Sequence, residues 1–346
     1  PVILQMENSD MSEKILGWLS DRDPVMELTL HSCWGMEANI ITYGAIIKNL
    51  EAPDRNGMMA DVILGQDTLE GYLTNPSASG ALIGRVANRI ENAAFCLNGK
   101  QYRLEANEHG NCLHSGGANY AGRNFTVADR GQNWAALQLL DDETGGFPGK
   151  STLTVTYTLT ESGALETVYE FFSEEDTPVS LTNHGYFNLS GGKEKDILKH
   201  KMKLNTEFYT PVRNNRIPTG EIRHVRGTKL DFTSCRLLSE VLDGQFGLDH
   251  NFVLGRDYGL AGELWDDYSG RKMEVYTDCP GIQIYTGNHF DGKTKGKQGA
   301  YYEPYAGICF ETQEFPNAVN VKHFPDCIVK KNTTFTTRTA YKFCVF

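Results

Sequence analysis

The sequence predicts an all-β protein of mostly antiparallel strands. Two observations carry this: apolar residues alternate with period two through most of the chain, and 35 glycines among 346 residues suffice to punctuate many turns. Helical spacing is scarce, with "SEKILGWL" (12–19) and "LLSEVLDG" (237–244) as the two short helical candidates. "ELTLHSCWGMEANIITYGAIIKNL" (27–50) reads as a run of strands. "FCLNGKQYRL" (95–104) reads as a hairpin around Asn98-Gly99, a dipeptide that tolerates the positive φ angles of a tight hairpin turn. "DDETGGFPGK" (141–150) is a turn, and "STLTVTYTLT" (151–160) sets Leu153, Val155, Tyr157 and Leu159 against threonines, as a half-buried strand does. "GALETVYEFF" (163–172) and "KMEVYTDCPGIQIYTGN" (272–288) add further strands. Internal repeats, low-complexity linkers and breaks in composition are absent from the sequence. Residues 1–346 therefore read as one large domain, with 1–24 as an N-terminal extension or its first elements.

Composition narrows the function. With 40% hydrophobic and 22% charged residues the chain reads as an ordinary soluble globular protein. A net charge of −11 argues against nucleic acid or an anionic membrane as partner, because those select clustered Lys and Arg. A neutral small molecule suits this balance better. The first residues show no basic stretch followed by an apolar one, and no run reaches 18 apolar residues, so a cytoplasmic location is expected. Eight cysteines lie far apart without a Cys-x-x-Cys pair, the pattern of reduced, packed thiols rather than of zinc ligands or a disulfide framework.

Against this apolar frame, several polar residues sit where packing alone would not put them. "LTNHGYFNL" (181–189) carries Asn183 and His184 in a stretch that otherwise reads as a buried strand. A buried polar group without a partner costs about 1–3 kcal/mol, so each needs a hydrogen bond or a task. "LIGRVANRI" (82–90) plants Arg85, Asn88 and Arg89, and "NEHGNCLHSGG" (107–117) presents His114 at a glycine turn. "GLDHNFVL" (247–254) brings Asp249 and His250 into a strand, and "GICFETQEFPNAVN" (307–320) runs apolar into Glu311, Thr312 and Gln313. Converging on one face, these groups make a site for a polyhydroxylated ligand with acid/base chemistry.

The segments "GRVANRI", "LNGKQYRL", "LHSGG", "TNHGYFNLSG", "LDHNFVL", "PGIQIYTGN" and "ETQ" follow one another in an order that resembles the aldose 1-epimerases, the galactose mutarotases, from about residue 25 to 345. Three positions depart from the family pattern: Ser115 interrupts its His-Gly-Gly, Gly185 stands in place of a serine, and Asn317 in place of an aspartate. Of these, Ser115 bears on the loop that carries His114. The resemblance implies a large antiparallel β-sandwich with its site in a cleft on a concave face. It also implies a cofactor-free, metal-free isomerase that interconverts the α and β anomers of free hexoses such as galactose and glucose. By resemblance Glu311 is the base at the C1 hydroxyl and His184 the acid at the ring oxygen O5. Reference pKa values of ~4.3 for Glu and ~6.5 for His allow one to be ionised while the other is protonated. His114, Asp249 and Arg89 would hold the ring oxygen and hydroxyls, with Asn88 and Gln283 as further substrate contacts. Asn183 is read as positioning its strand, and Tyr186 and Phe187 as packing.

Alternatives stay open at this level: an epimerase of a related or phosphorylated sugar, a glycoside hydrolase using Asp249 and Glu311, or a non-catalytic sugar-binding module. "GNHFDGKT" (287–294) also fits the phosphate-loop pattern G-x-x-x-x-G-K-[ST]. That loop needs a following helix, whereas "KGKQGAYYEPY" follows, so its lysines are expected in a solvated loop.

Overall fold

The computed structural model describes residues 13–346 apart from residues 34, 75, 76, 143, 245 and 294. Strands form where the alternation says they should. In Ser151–Leu159 every second residue, beginning at Ser151, is buried, and the threonines between are half-exposed. Asn98 (φ 51°) and Gly99 (φ 77°) make the left-handed turn between Ala94–Leu97 and Lys100–Arg103. Among the described residues the longest helix is Leu69–Thr74, six residues; the remaining helical segments are single 3-10 turns.

Two large antiparallel sheets dominate. One has nine strands in the order Thr126–Arg130, Trp134–Asp141, Ser151–Leu159, Ala164–Ser173, Thr334–Val345, Arg271–Thr277, Gly259–Asp266, Lys201–Leu204 and Arg236–Leu237. The other has six: Tyr186–Phe187, Ile308–Gln313, Gly281–Tyr285, Asp249–Val253, Phe208–Tyr209 and Arg223–His224. Their inner faces meet in one apolar cluster in which Phe310, Ile282 and Ile284 of the six-stranded sheet lie with Leu264, Val275 and Tyr341 of the nine-stranded one. The Tyr341 hydroxyl donates to the Phe310 carbonyl at 3.0 Å, so the phenol enters the core with its polar end satisfied. A third sheet, of five strands from Glu13–Ser20 to Met59–Asp61, adds Leu28, Leu30, Ile40 and Leu50 to the same cluster.

Both helical expectations fail. Residues 13–20 form an edge strand paired with Asp23–His31, bulged between Ile15 and Gly17 and again between Trp18 and Ser20. Each bulge shifts the period, which is why the sequence imitates a helix. "LLSEVLDG" contributes only the turn Leu238–Glu240, because Leu237 is already paired in the sheet with Lys201. The cysteines are all free thiols, yet Cys33, Cys96 and Cys235 are exposed rather than packed.

Arg85, one of the misplaced polar residues, is structural. Its guanidinium donates to Asp141 Oδ2 from Nη2 at 2.6 Å and from Nε at 3.2 Å, and to the Pro148 carbonyl at 2.7 Å. The Tyr120 hydroxyl donates to the same carboxylate oxygen at 2.9 Å. Removing the carboxylate would leave a buried cation uncompensated. We expect Asp141→Ala to cost about 3–5 kcal/mol in urea unfolding; a loss under about 1 kcal/mol would show that the pair is not needed.

Candidate active site

The Ile308–Gln313 strand is buried on both faces, so its alternation sorts residues between core and site. Ile308 and Phe310 join the core, while Cys309 and Glu311 take the opposite face. Register extends this polar row across the sheet. Cys309 lies opposite Tyr186 and Tyr285, Tyr285 opposite Asp249, and Glu311 opposite Gln283. Over this face pass residues 82–90 and 112–118, joined by the short pairing of Cys112–Leu113 with Arg89–Ile90. Thr182–Asn183 pairs with Leu82–Ile83, and the Asn183 amide donates to the Gly80 carbonyl at 2.7 Å, which fixes the segment that presents His184. Asn183 is thus a positioning residue, as expected.

A cleft of about 630 Å³ results, within the range of small-molecule sites. Asn88, Arg89, His114, His184, Asp249 and Glu311 all line it. Gln283 does not; it sits behind Asp249, its amide donating to Asp249 Oδ1 at 2.6 Å. That hydrogen bond makes Gln283 a support of Asp249. Arg85 and His250 also stay out of the lining. The sequence reading missed Glu108, Arg216, Tyr285 and His289, which line the cleft, and assigned Tyr186 to packing alone. Tyr186 does pack, 4.9 Å from the Phe290 and His184 rings, but one side faces the cleft. Phe187 is wholly buried in the core.

At the floor, His184 Nε2 stands 3.8 Å from Glu311 Oε1, and His184 Nδ1 faces the Cys309 thiol at 3.5 Å. Burial pushes the Glu311 carboxyl well above its usual value, the Asp249 charge adding to it and Arg89 opposing. Burial likewise lowers His184 to about 4. The order of the two reference values is therefore reversed. His114 accepts the Asn88 backbone N–H at Nδ1 (3.1 Å), so its neutral ring carries the proton on Nε2 as a hydrogen-bond donor. Its burial, with His184 and Arg89 nearby, holds it well below the ordinary imidazole value, which keeps it neutral.

The His114 loop requires unusual backbone. Asn88 (φ 59°), His114 (φ 51°) and Ser115 (φ 67°) are all left-handed, uncommon for residues other than glycine. Ser115 compensates by accepting the Val86 N–H at 2.8 Å and donating to the Val86 carbonyl at 3.1 Å. The serine that departs from the family pattern thus clamps the loop.

Both arginines in the cleft are engaged. Arg89 forks onto Glu108 at 2.5 and 2.7 Å, and Arg216 donates to Asp249 Oδ2 at 3.0 Å. The three histidine, cysteine and glutamate groups His184, Cys309 and Glu311 have ligand atoms within 4.8 Å of one another, but the lone carboxylate and a thiol pushed well up by burial make a poor cation site.

The phosphate-loop pattern lacks its helix. Residues 295–300 hold only the turn Lys297–Gly299, and Thr294 lies outside the described residues. Lys293 is exposed as expected, but Lys297 is half-buried, donating to Asp61 Oδ2 at 2.6 Å and to the Ile63 carbonyl at 2.8 Å.

Comparison with known proteins identifies the family. A family model for aldose 1-epimerase matches residues 26–342. Galactose mutarotase of Bos taurus is 40% identical over 315 residues, covering 90% of this chain and 92% of the relative. That of Homo sapiens is 39% identical over 314 residues with the same coverages, 90% and 92%. The solved structure of a GalM/aldose epimerase homologue from C. elegans superposes with a TM-score of 0.88 at 27% identity, covering 93% of this chain and 99% of that one. The chain belongs to the aldose 1-epimerase family, isomerases that interconvert hexose anomers.

Lys293→Ala is expected to leave mutarotation at the wild-type rate, and the wild-type protein to show no saturable heat of ATP binding. Micromolar ATP affinity lost in the variant would restore the nucleotide reading.

Proposed function

We propose that this cleft opens and recloses free, uncharged hexoses such as galactose and glucose, with Glu311 as base at the C1 hydroxyl and His184 as acid at O5. The 3.8 Å approach of Glu311 to His184 carries the reading. Both oxygens to be served are bonded to C1, so the base and the acid must converge on one carbon. Glu311 takes the O1 proton, the C1–O5 bond breaks as O5 accepts a proton from His184, and C1 becomes the aldehyde carbon. Rotation about C1–C2 presents the other face, and the reverse transfers close the ring. His114 Nε2–H is placed to donate to a ring or hydroxyl oxygen, while Asp249 and Arg89 accept from and donate to the remaining hydroxyls.

Acid and base need share only one proton. Between the titrations of His184 and Glu311 the pair carries one, which the burial of both groups favours on Glu311. Its transfer to His184 makes an ion pair, in which two charges about 4 Å apart attract by about 4 kcal/mol at an effective dielectric of 20. Below the lower titration both groups are protonated and no base remains; above the upper one both are deprotonated and no acid remains.

Specific observations weigh against the rivals. The two cleft arginines are each taken up by a carboxylate, which disfavours a sugar phosphate. Asp249 has both oxygens engaged by Gln283 and Arg216, which disfavours it as a glycosidase nucleophile. Eight free thiols suit the reducing cytoplasm, where we place the protein.

Polarimetry on freshly dissolved α-D-galactose and α-D-glucose tests the activity. Glu311→Gln should lower kcat by ~10²–10⁴-fold with sugar binding retained, since Gln keeps the shape but cannot take a proton; more than half of wild-type activity would remove Glu311 from the role.

The wild-type kcat should fall as pH drops toward about 4, the value to which His184 is lowered. His184→Asn should cost at least ~10²-fold and move the acidic fall to higher pH, where the raised Glu311 carboxyl titrates alone. An unchanged profile at near-normal rate would transfer the acid role to another group.

A further inference from the structure

Four side chains span the mouth of the cleft in one hydrogen-bonded run. Arg216 donates from Nη1 to Asp249 Oδ2 at 3.0 Å, and its Nη2 meets His289 Nε2 at 2.7 Å. His289 Nδ1 in turn meets the Tyr285 hydroxyl at 2.8 Å. An arginine can only donate, so His289 must accept at Nε2 and carry its proton on Nδ1. The run therefore exists only while His289 is neutral. The two ends belong to the floor of the site, since Tyr285 and Asp249 lie opposite each other in the six-stranded sheet. The middle comes from two separate loops, and Arg216 adopts a left-handed backbone (φ 61°) to reach across. That conformation is uncommon for residues other than glycine.

With Nη1 committed to Asp249 and Nη2 to His289, the guanidinium is held by two partners yet remains 39% exposed. It offers its remaining N–H groups to a ligand seated on Asp249. We propose that Arg216, held by Asp249 and His289, is a substrate-positioning residue that donates to a sugar hydroxyl other than the one on C1, so that sugar affinity depends on His289 staying neutral. This rests on the placement of C1 between Glu311 and His184.

The sign of the pH effect follows from what surrounds His289. Burial and the Arg216 charge lower its pKa, Arg89 adds to the lowering, and Asp249 and Glu108 oppose it. Asp291, on the same loop, also lines the cleft. As pH falls below that depressed pKa, His289 gains a proton, can no longer accept from Arg216, and repels it. KM should then rise while the chemistry at Glu311 and His184 continues.

Polarimetry on galactose gives kcat and KM from pH 4.5 to 8, and saturation-transfer NMR gives the affinity directly. Hydrogen bonds from a charged donor are strong enough that Arg216→Ala should raise KM and the dissociation constant by about 10-fold or more, with a smaller change in kcat. His289→Gln supplies an acceptor that does not titrate, so it should flatten the acidic rise of KM seen in the wild type. The proposal is overturned if Arg216→Ala binds galactose within about 2-fold of wild type, if its loss falls on kcat alone, or if His289→Gln keeps the acidic rise. A wild-type protein that binds galactose without speeding its mutarotation would instead sink the catalytic assignment, and the measured affinities would still decide for or against Arg216.

Discussion

One strand has no solvent face, and the rest of the site depends on that. Ile308–Gln313 is covered by the core on one side and by the cleft and its loops on the other. Alternation along a strand is fixed by backbone geometry, so a slip of one residue would put Glu311 into the core and Phe310 into the cleft. The register is therefore held by a large penalty in both directions. Gln283 and Asp249 inherit their positions from it through the next two strands, and Tyr186 through the previous one.

Electrostatics follow the same logic of enclosure. Within the cleft Arg89 is matched by Glu108 and Arg216 by Asp249, while Asp291 pairs outward with Lys293. The floor differs, since Glu311 and His184 are shielded enough for each to disfavour its charged form. A site built this way sets two groups that resist charging in a surrounding of compensated charges. Such a surrounding suits a substrate that is neutral before, during and after reaction.

The legible parts of the sequence were those where a polar residue interrupted an apolar alternation. Glu311 after "GICF" and His184 after "LTN" stood out because strands permit only two facings, and both prove to line the cleft. Tyr285 was within reach by the same rule, being two residues from Gln283, but an aromatic residue in a strand looks like core. Gln283 lies on the face the alternation gives it, opposite Glu311, but its bond to Asp249 was not legible, because sequence shows facing and not depth. Arg216 and His289 had no such signal: they lie in loops, where no period constrains direction, and their meeting depends on two chain segments 73 residues apart. The edge strand at residues 13–20 was misread for a different reason. Its two bulges and the contact that leaves no space for a side chain at Gly17, where a Cβ would lie 2.8 Å from Leu69, obscure the period.

Thr334–Val345 occupies the middle of the nine-stranded sheet, between Ala164–Ser173 and Arg271–Thr277. During synthesis the strands on either side must wait, each with an unpaired edge, until residues 334–345 emerge from the ribosome. Neither half can join the other before then, and Tyr341 cannot reach the Phe310 carbonyl. The sheet closes by insertion of a late segment, so folding is dominated by contacts of long sequence separation and should be slow. The interval in which two open edges coexist is when this chain is most exposed to pairing with a neighbour on the same polysome.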